Sequence, residues 1–113
     1  MIVSETVRAV AAQYERFGWK LRRILLRPGS EQIAAAFPDV PVITTSQDAL
    51  WFSRESEHGR AWELRRLTGT PFALVRVIGS DVSDDERDEI LRSLEEEMAE
   101  RDVKANGENS NEK

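Results

Sequence analysis

At 113 residues the chain has the length of one small domain, and its 40% apolar and 33% charged residues are the balance of a solvated globule rather than a disordered segment. It contains no cysteine, which excludes disulfide frameworks, thiol nucleophiles and cysteine-ligated zinc or iron–sulfur centres, and a cytoplasmic location is expected. The opening MIVSETVRAV lacks the basic and apolar regions of a secretion signal, and no run of about 18 apolar residues is present, so no membrane association is expected.

The net charge of −5 is unevenly placed. Asp81–Asp102 holds eleven acidic and three basic residues, whereas residues 1–80 hold eleven basic and eight acidic ones. A mildly basic body thus precedes a strongly acidic segment. Such asymmetry bears on solubility and association more than on a specific activity.

In chain order, Ser4 or Thr6 is positioned to cap a first helix whose apolar residues Val7, Val10, Ala11, Tyr14 and Phe17 recur at helical spacing, and Gly18 supplies its stop. WKLRRILL, residues 19–26, predicts a strand entering the core through Ile24, Leu25 and Leu26. Pro28-Gly29 breaks the chain; Ser30 is placed to cap a short helix through Ile33, Ala34 and Phe37 that Pro38 ends. Residues 41–47 read as extended chain leading into the sheet.

ALWFSRES and RAWELRRL flank Glu57-His58-Gly59, which predicts a hairpin with a three-residue loop and Gly59 in the left-handed region. That register pairs Phe52 with Leu64 and gathers Leu50, Phe52, Trp62 and Leu64 on one face, with Trp51 set against Arg65 on the other. Thr68-Gly69-Thr70-Pro71 turns the chain into FALVRVI, residues 72–78, a third meander strand, with residue 67 opposite 72 and Glu63 opposite Arg76. Ser83-Asp84-Asp85-Glu86 has the spacing of a capping box and opens a final helix with Ile90, Leu91, Leu94 and Met98 as its apolar stripe. KANGENSNEK has little to bury and predicts a disordered polar tail over 103–113 after a single domain of residues 1–102.

No catalytic, cofactor or metal site is legible. His58, the sole histidine, falls on the hairpin tip, where neighbouring Glu55 and Glu57 are solvating charges rather than partners for a general base. The carboxylates at 81, 84, 85 and 88 lack the glycine turn and distal glutamate of a calcium loop, and helix capping explains them. Glycines occur singly at 18, 29, 59, 69, 79 and 107, so neither a Walker loop nor a dinucleotide fingerprint is present, and no G-x-S-x-G elbow occurs.

Two binding features remain. Arg16, Lys20, Arg22, Arg23 and Arg27 lie within twelve residues free of acids, and Arg65-Arg66 follows on the hairpin. Arginine forks suit anions, so Arg22, Arg23 and Arg65 are the candidate anion-binding residues; Trp19 and Trp51 offer stacking surfaces to bases. An overall acidic balance argues against nucleic acid as the main partner. The second feature is an apolar sheet face carrying Trp51, Leu67, Phe72, Leu74 and Ile78, with Trp51, Arg65, Leu67, Phe72 and Leu74 as the candidate interaction surface.

The expected fold is α+β: an N-terminal helix, an antiparallel sheet of about four strands containing a meander, a short middle helix and a long acidic C-terminal helix. The expected function is a small interaction domain without enzymatic activity, binding a protein partner or a second copy of itself. The alternatives are a ligand binder or enzyme holding an anionic substrate through arginines, and a weak nucleic-acid binder through the basic residues of 16–27.

Overall fold

The structure is a computed structural model that describes the backbone of residues 2–70 and 72–111, and their side chains apart from those of 31 and 102–111. Its elements, in chain order, are α1 (Ser4–Glu15), β1 (Lys20–Leu26), α2 (Glu31–Ala36), β2 (Val42–Thr44), β3 (Ala49–Ser56), β4 (Gly59–Arg66), β5 (Ala73–Ile78) and α3 (Asp84–Asn111). Two units divide at residue 80: the sheet with α1 and α2, and the segment containing α3.

The sheet has five strands in the order β2-β1-β3-β4-β5 and is mixed rather than purely antiparallel. Its extra strand is β2, short and at the edge, which pairs parallel to β1 through Ile24–Val42, Leu25–Ile43 and Leu26–Thr44. A parallel neighbour needs a crossover, and α2 with its flanking loops provides it. Asp48 ties the far side of this crossover to β1: its Oδ1 accepts the Arg27 amide at 2.9 Å, and its carbonyl accepts the Leu67 amide at 3.0 Å.

Two expected caps take another form. Val3, not Ser4 or Thr6, is the residue before the first turn of α1, and neither Val3 nor Ser30 makes a side-chain capping bond. The stop of α1 does fall at Gly18. Its amide donates to the Glu15 carbonyl at 3.1 Å and the Trp19 amide to the Tyr14 carbonyl at 3.1 Å, the paired bonds of a Schellman motif, with Gly18 at φ 86°. This stop turns Phe17 off the apolar stripe, so the side chain expected in the core is 71% exposed.

The hairpin register differs from the expected one by one residue. Ser56 pairs with Gly59, leaving Glu57-His58 as a two-residue turn, and the ladder continues through Arg54–Ala61, Ser53–Trp62, Phe52–Glu63 and Trp51–Leu64. The β4–β5 pairing is also shifted by one: Trp62, not Glu63, lies opposite Arg76, and Glu63 lies opposite Val75. Pro71, in the expected turn before β5, lies outside the described residues. Because strand side chains alternate, a one-residue slip exchanges the faces of β4 entirely. Leu50 and Phe52 point to the face that α1 and α2 cover, while Trp62 and Leu64 join Trp51 on the opposite face.

The helix-covered face holds a core of Ile2, Val7, Ala11, Ile24, Leu26, Ile33, Leu50 and Phe52, against which Tyr14, Trp19, Leu21 and Leu67 pack. Trp51 meets Trp62 edge to face on the other side, with ring centroids 6.1 Å apart. In the second unit, Ser83 and Glu86 form the expected capping box: Ser83 Oγ accepts the Glu86 amide at 3.2 Å and Glu86 Oε1 accepts the Ser83 amide at 3.3 Å. No proline interrupts α3, which runs past residue 102 to Asn111; Glu112 and Lys113, at the end of the expected tail, lie outside the described residues.

Gly59 fixes the hairpin register. It has φ 145°, and a Cβ there would fall 2.2 Å from the Ile78 carbonyl oxygen and 2.9 Å from Gly79 Cα, both backbone atoms that cannot step aside. Gly59→Ala is therefore expected to destabilise the fold by about 2 kcal/mol or more, measured by urea unfolding. A loss below about 0.5 kcal/mol would contradict this packing of the turn against the end of β5.

Candidate functional site

The helix-covered face is not covered throughout. The residues that α1 and α2 bury belong to β1 and β3, together with Val42 of β2. On the same face β4 and β5 present Ala61, Glu63, Arg65, Ala73, Val75 and Val77. Val75 is 55% exposed and Val77 is 50% exposed. Phe17, at the end of α1, is exposed as well.

Between the helix and this surface stands Tyr14. Its ring stacks on Phe52, with centroids 3.9 Å apart and planes 6° from parallel, and meets Trp19 edge-on at 6.1 Å. Its hydroxyl donates to Glu63 Oε2. The Tyr14 phenol is pushed up from 10.0 to about 12, first by burial, then by the hydrogen bond to Glu63, with Arg65 acting in the opposite sense. At neutral pH the phenol is fully protonated and donating, which makes this pair a structural clasp between α1 and β4 rather than a base.

Trp19 is held from its other side. The Arg54 guanidinium lies 4.9 Å from the ring centroid, while its Nη1 donates to the Phe17 carbonyl at 2.9 Å. Arg54 thereby fixes the turn that carries both aromatic residues. Two open concavities flank Trp19. One, of about 390 Å³, is lined by Gln13, Tyr14, Arg16, Phe17, Trp19 and Glu63. The other, of about 760 Å³, is lined by residues that include Gly18, Trp19, Arg54, Ala61, Val75 and Val77.

The residues singled out from the sequence are scattered by this arrangement. Trp51 is fully buried on the opposite face, opposed by Leu64 rather than Arg65. Leu74 lies on Trp51's side of the sheet, across from Leu64, while Arg65 and Leu67 belong to the helix-covered face. Phe72 precedes β5 with the Arg66 guanidinium 5.3 Å from its ring centroid. The five candidate interaction residues therefore do not form one surface.

The candidate anion-binding arginines are also divided. A bulge in β1 between Leu21 and Arg23 places Arg22 toward the face of Ser53 and Trp51, where its Nε donates to Ser53 Oγ at 2.7 Å. Arg23, opposite Trp51, shares that face. Arg65 stands on the other face, near Tyr14, and its Nε donates to the Arg66 carbonyl. Arg27 donates to the Ser46 carbonyl at 3.2 Å, and Arg16 lines the smaller concavity. His58 is exposed on the turn.

Among the described residues no three His, Cys, Asp or Glu side chains are grouped to hold a metal ion, and no helix is long and apolar enough to cross a membrane. No protein-family model, curated protein or solved structure matches the chain.

The exposure of Val75 and Val77 is not legible in the sequence because FALVRVI has the composition of a core strand. Its signal was positional. As the last strand of a meander, β5 has a neighbour on one side only.

Tyr14 is the chain's single tyrosine, so its ionisation can be followed by phenolate absorbance. The expected midpoint is near 12 in the folded protein, against about 10 for a free phenol. Because the folded value is the higher one, the associated stabilisation is complete below pH 10 and is lost as pH rises from 10 to 12. Tyr14→Phe should remove this pH dependence; a folded-state midpoint near 10 would contradict the clasp.

Proposed function

We propose that this chain is a protein-interaction domain that docks through the β4–β5 half of its helix-covered sheet face. The observation that carries the reading is the exposure of Val75 and Val77 in the concavity they share with Trp19, Arg54 and Ala61, with the exposed Phe17 lining the second concavity beside Trp19. Scattered apolar residues are ordinary on a protein surface, but neighbouring exposed valines that share a concavity with an aromatic ring and charged side chains suit a contact surface. Aromatic and arginine side chains held in place beforehand, as Trp19 and Arg54 are, lose little freedom when a partner arrives.

The width of the open strip suits this role. Two strands span about 10 Å, close to the diameter of a helix. Both concavities are open, and the phenol beside the smaller one is held neutral, which favours contact over chemistry. Arg22 and Arg23 stand on the opposite face of the sheet from Arg65, which leaves the anionic-substrate alternative with less support. The basic residues of 16–27 likewise form no single stripe, which leaves the nucleic-acid alternative with less support.

An open contact surface tolerates polar substitution. Val75→Lys, Val77→Lys and Phe17→Ser are each expected to change stability by less than about 1 kcal/mol, measured by urea unfolding. Losses above about 2 kcal/mol, the scale of emptying a core site, would show that the chain itself covers this face and would end the interaction reading.

A further inference from the structure

We infer that a second copy of the chain adjoins this surface at its β5 edge, joined through antiparallel pairing of β5 with its own copy. The inference rests on the interaction reading above and names its partner. It follows from three properties of β5: which backbone groups face outward, which side chains meet across the seam, and what the edge lacks.

The Arg66 amide donates to the Phe72 carbonyl at 2.9 Å, which sets the alternation of the β4–β5 ladder. In an antiparallel ladder the hydrogen-bonded pairs recur at every second residue. The backbone groups of Leu74, Arg76 and Ile78 accordingly face β4, and those of Ala73, Val75 and Val77 face away from the sheet. β5 is the last strand in the order, so no strand of the sheet pairs with these outward groups.

A two-fold axis through Val75 satisfies all of them. Val75 then lies opposite Val75 of the second copy, and Ala73 lies opposite Val77 in both directions, giving about six hydrogen bonds across the seam. The same register places only apolar side chains opposite one another on the exposed face, extending the Val75–Val77 surface across the junction. On the other face each Arg76 stands opposite Leu74. Moving the axis one residue, to Arg76, sets the two arginines directly opposite each other, a pairing that like charges disfavour.

Edge strands of monomers are commonly blunted by a bulge, a proline or an inward-pointing charge. The register of β5 runs unbroken over Ala73–Ile78 and ALVRVI contains no proline; its one charge, Arg76, lies on the face of Trp62, where the proposed register sets it opposite Leu74. A seam of six residues is short, about 20 Å, so the dimer belongs among weak, reversible contacts with dissociation constants of roughly 10–1,000 μM.

The absence of native cysteine gives a direct test by single-cysteine cross-linking. Residues on the two-fold axis approach to about 5.5 Å between Cα atoms, within reach of a disulfide; residues two places away on both copies are about 14 Å apart and out of reach. Val75→Cys under mild oxidation at about 200 μM should give a reducible dimer at least ten times faster than Val77→Cys, a control of similar exposure. Arg76→Cys, with its counterpart about 8 Å away, should also link more slowly than Val75→Cys. In parallel, the solution mass of the unmodified chain should rise with concentration, and Val75→Lys should hold it at the monomer value.

Equal rates for the three cysteine variants, or fastest linking by Arg76→Cys, would overturn the proposed pairing. A monomer mass up to about 1 mM would overturn self-association. If Val75→Lys and Val77→Lys nonetheless leave stability unchanged, the surface is open and the interaction reading stands with a different partner; if they unfold the chain, both readings fail together.

Discussion

The register of the β3–β4 hairpin is the constraint on which the rest of the sheet depends. A two-residue turn at Glu57-His58, with Gly59 pressed against the end of β5, sets Ser53 opposite Trp62 and Phe52 opposite Glu63. Every consequence for function follows from that parity. Glu63 reaches the helix-covered face and meets Tyr14, whereas Trp62 and Leu64 go to the other side with Trp51. A loop one residue longer would trade these positions, burying a tryptophan beneath α1 and sending the glutamate away from the tyrosine.

The second determinant is the stop of α1. The Gly18 turn sets Trp19 edge-on against Tyr14 and leaves Phe17 outward, so one local motif supplies both a fixed wall and an exposed apolar side chain. Arg54 reinforces it by capping the Trp19 ring and binding the Phe17 carbonyl. The surface is therefore built from the rigid junction of a helix end and a sheet, not from a loop. Its position at this junction is what supports the proposed contact role.

The α+β class, the two early helices, the meander and the capping box of the last helix were legible because each depends on local signals: periodicity, Gly-Pro breaks and the S-x-x-E spacing. The parallel strand β2 was not, because a three-residue edge strand has too few residues to display a period, and its direction is decided by the crossover through α2. The hairpin register failed for a sharper reason. Gly59 signals a positive φ in either a two-residue or a three-residue connection, and the apolar pattern of β4 does not arbitrate, since Ala61, Trp62, Leu64 and Arg65 leave no clean alternation. With the register one residue off, Trp51 stands against Arg65 instead of Leu64, and Trp62 and Leu64 fall on the face of Phe52. The bulge at Arg22, which sets two consecutive arginines on one face, likewise has no local sequence mark.

The most direct test of this account is the β3–β4 register itself, read from cross-strand proton contacts by nuclear magnetic resonance. The account predicts backbone contacts linking Trp51 with Leu64 and Ser53 with Trp62, together with contacts between the Tyr14 ring and the Glu63 side chain. Contacts linking Phe52 with Leu64 and Arg54 with Trp62 would place the glutamate on the wrong face, dissolve the clasp and contradict the surface derived from it.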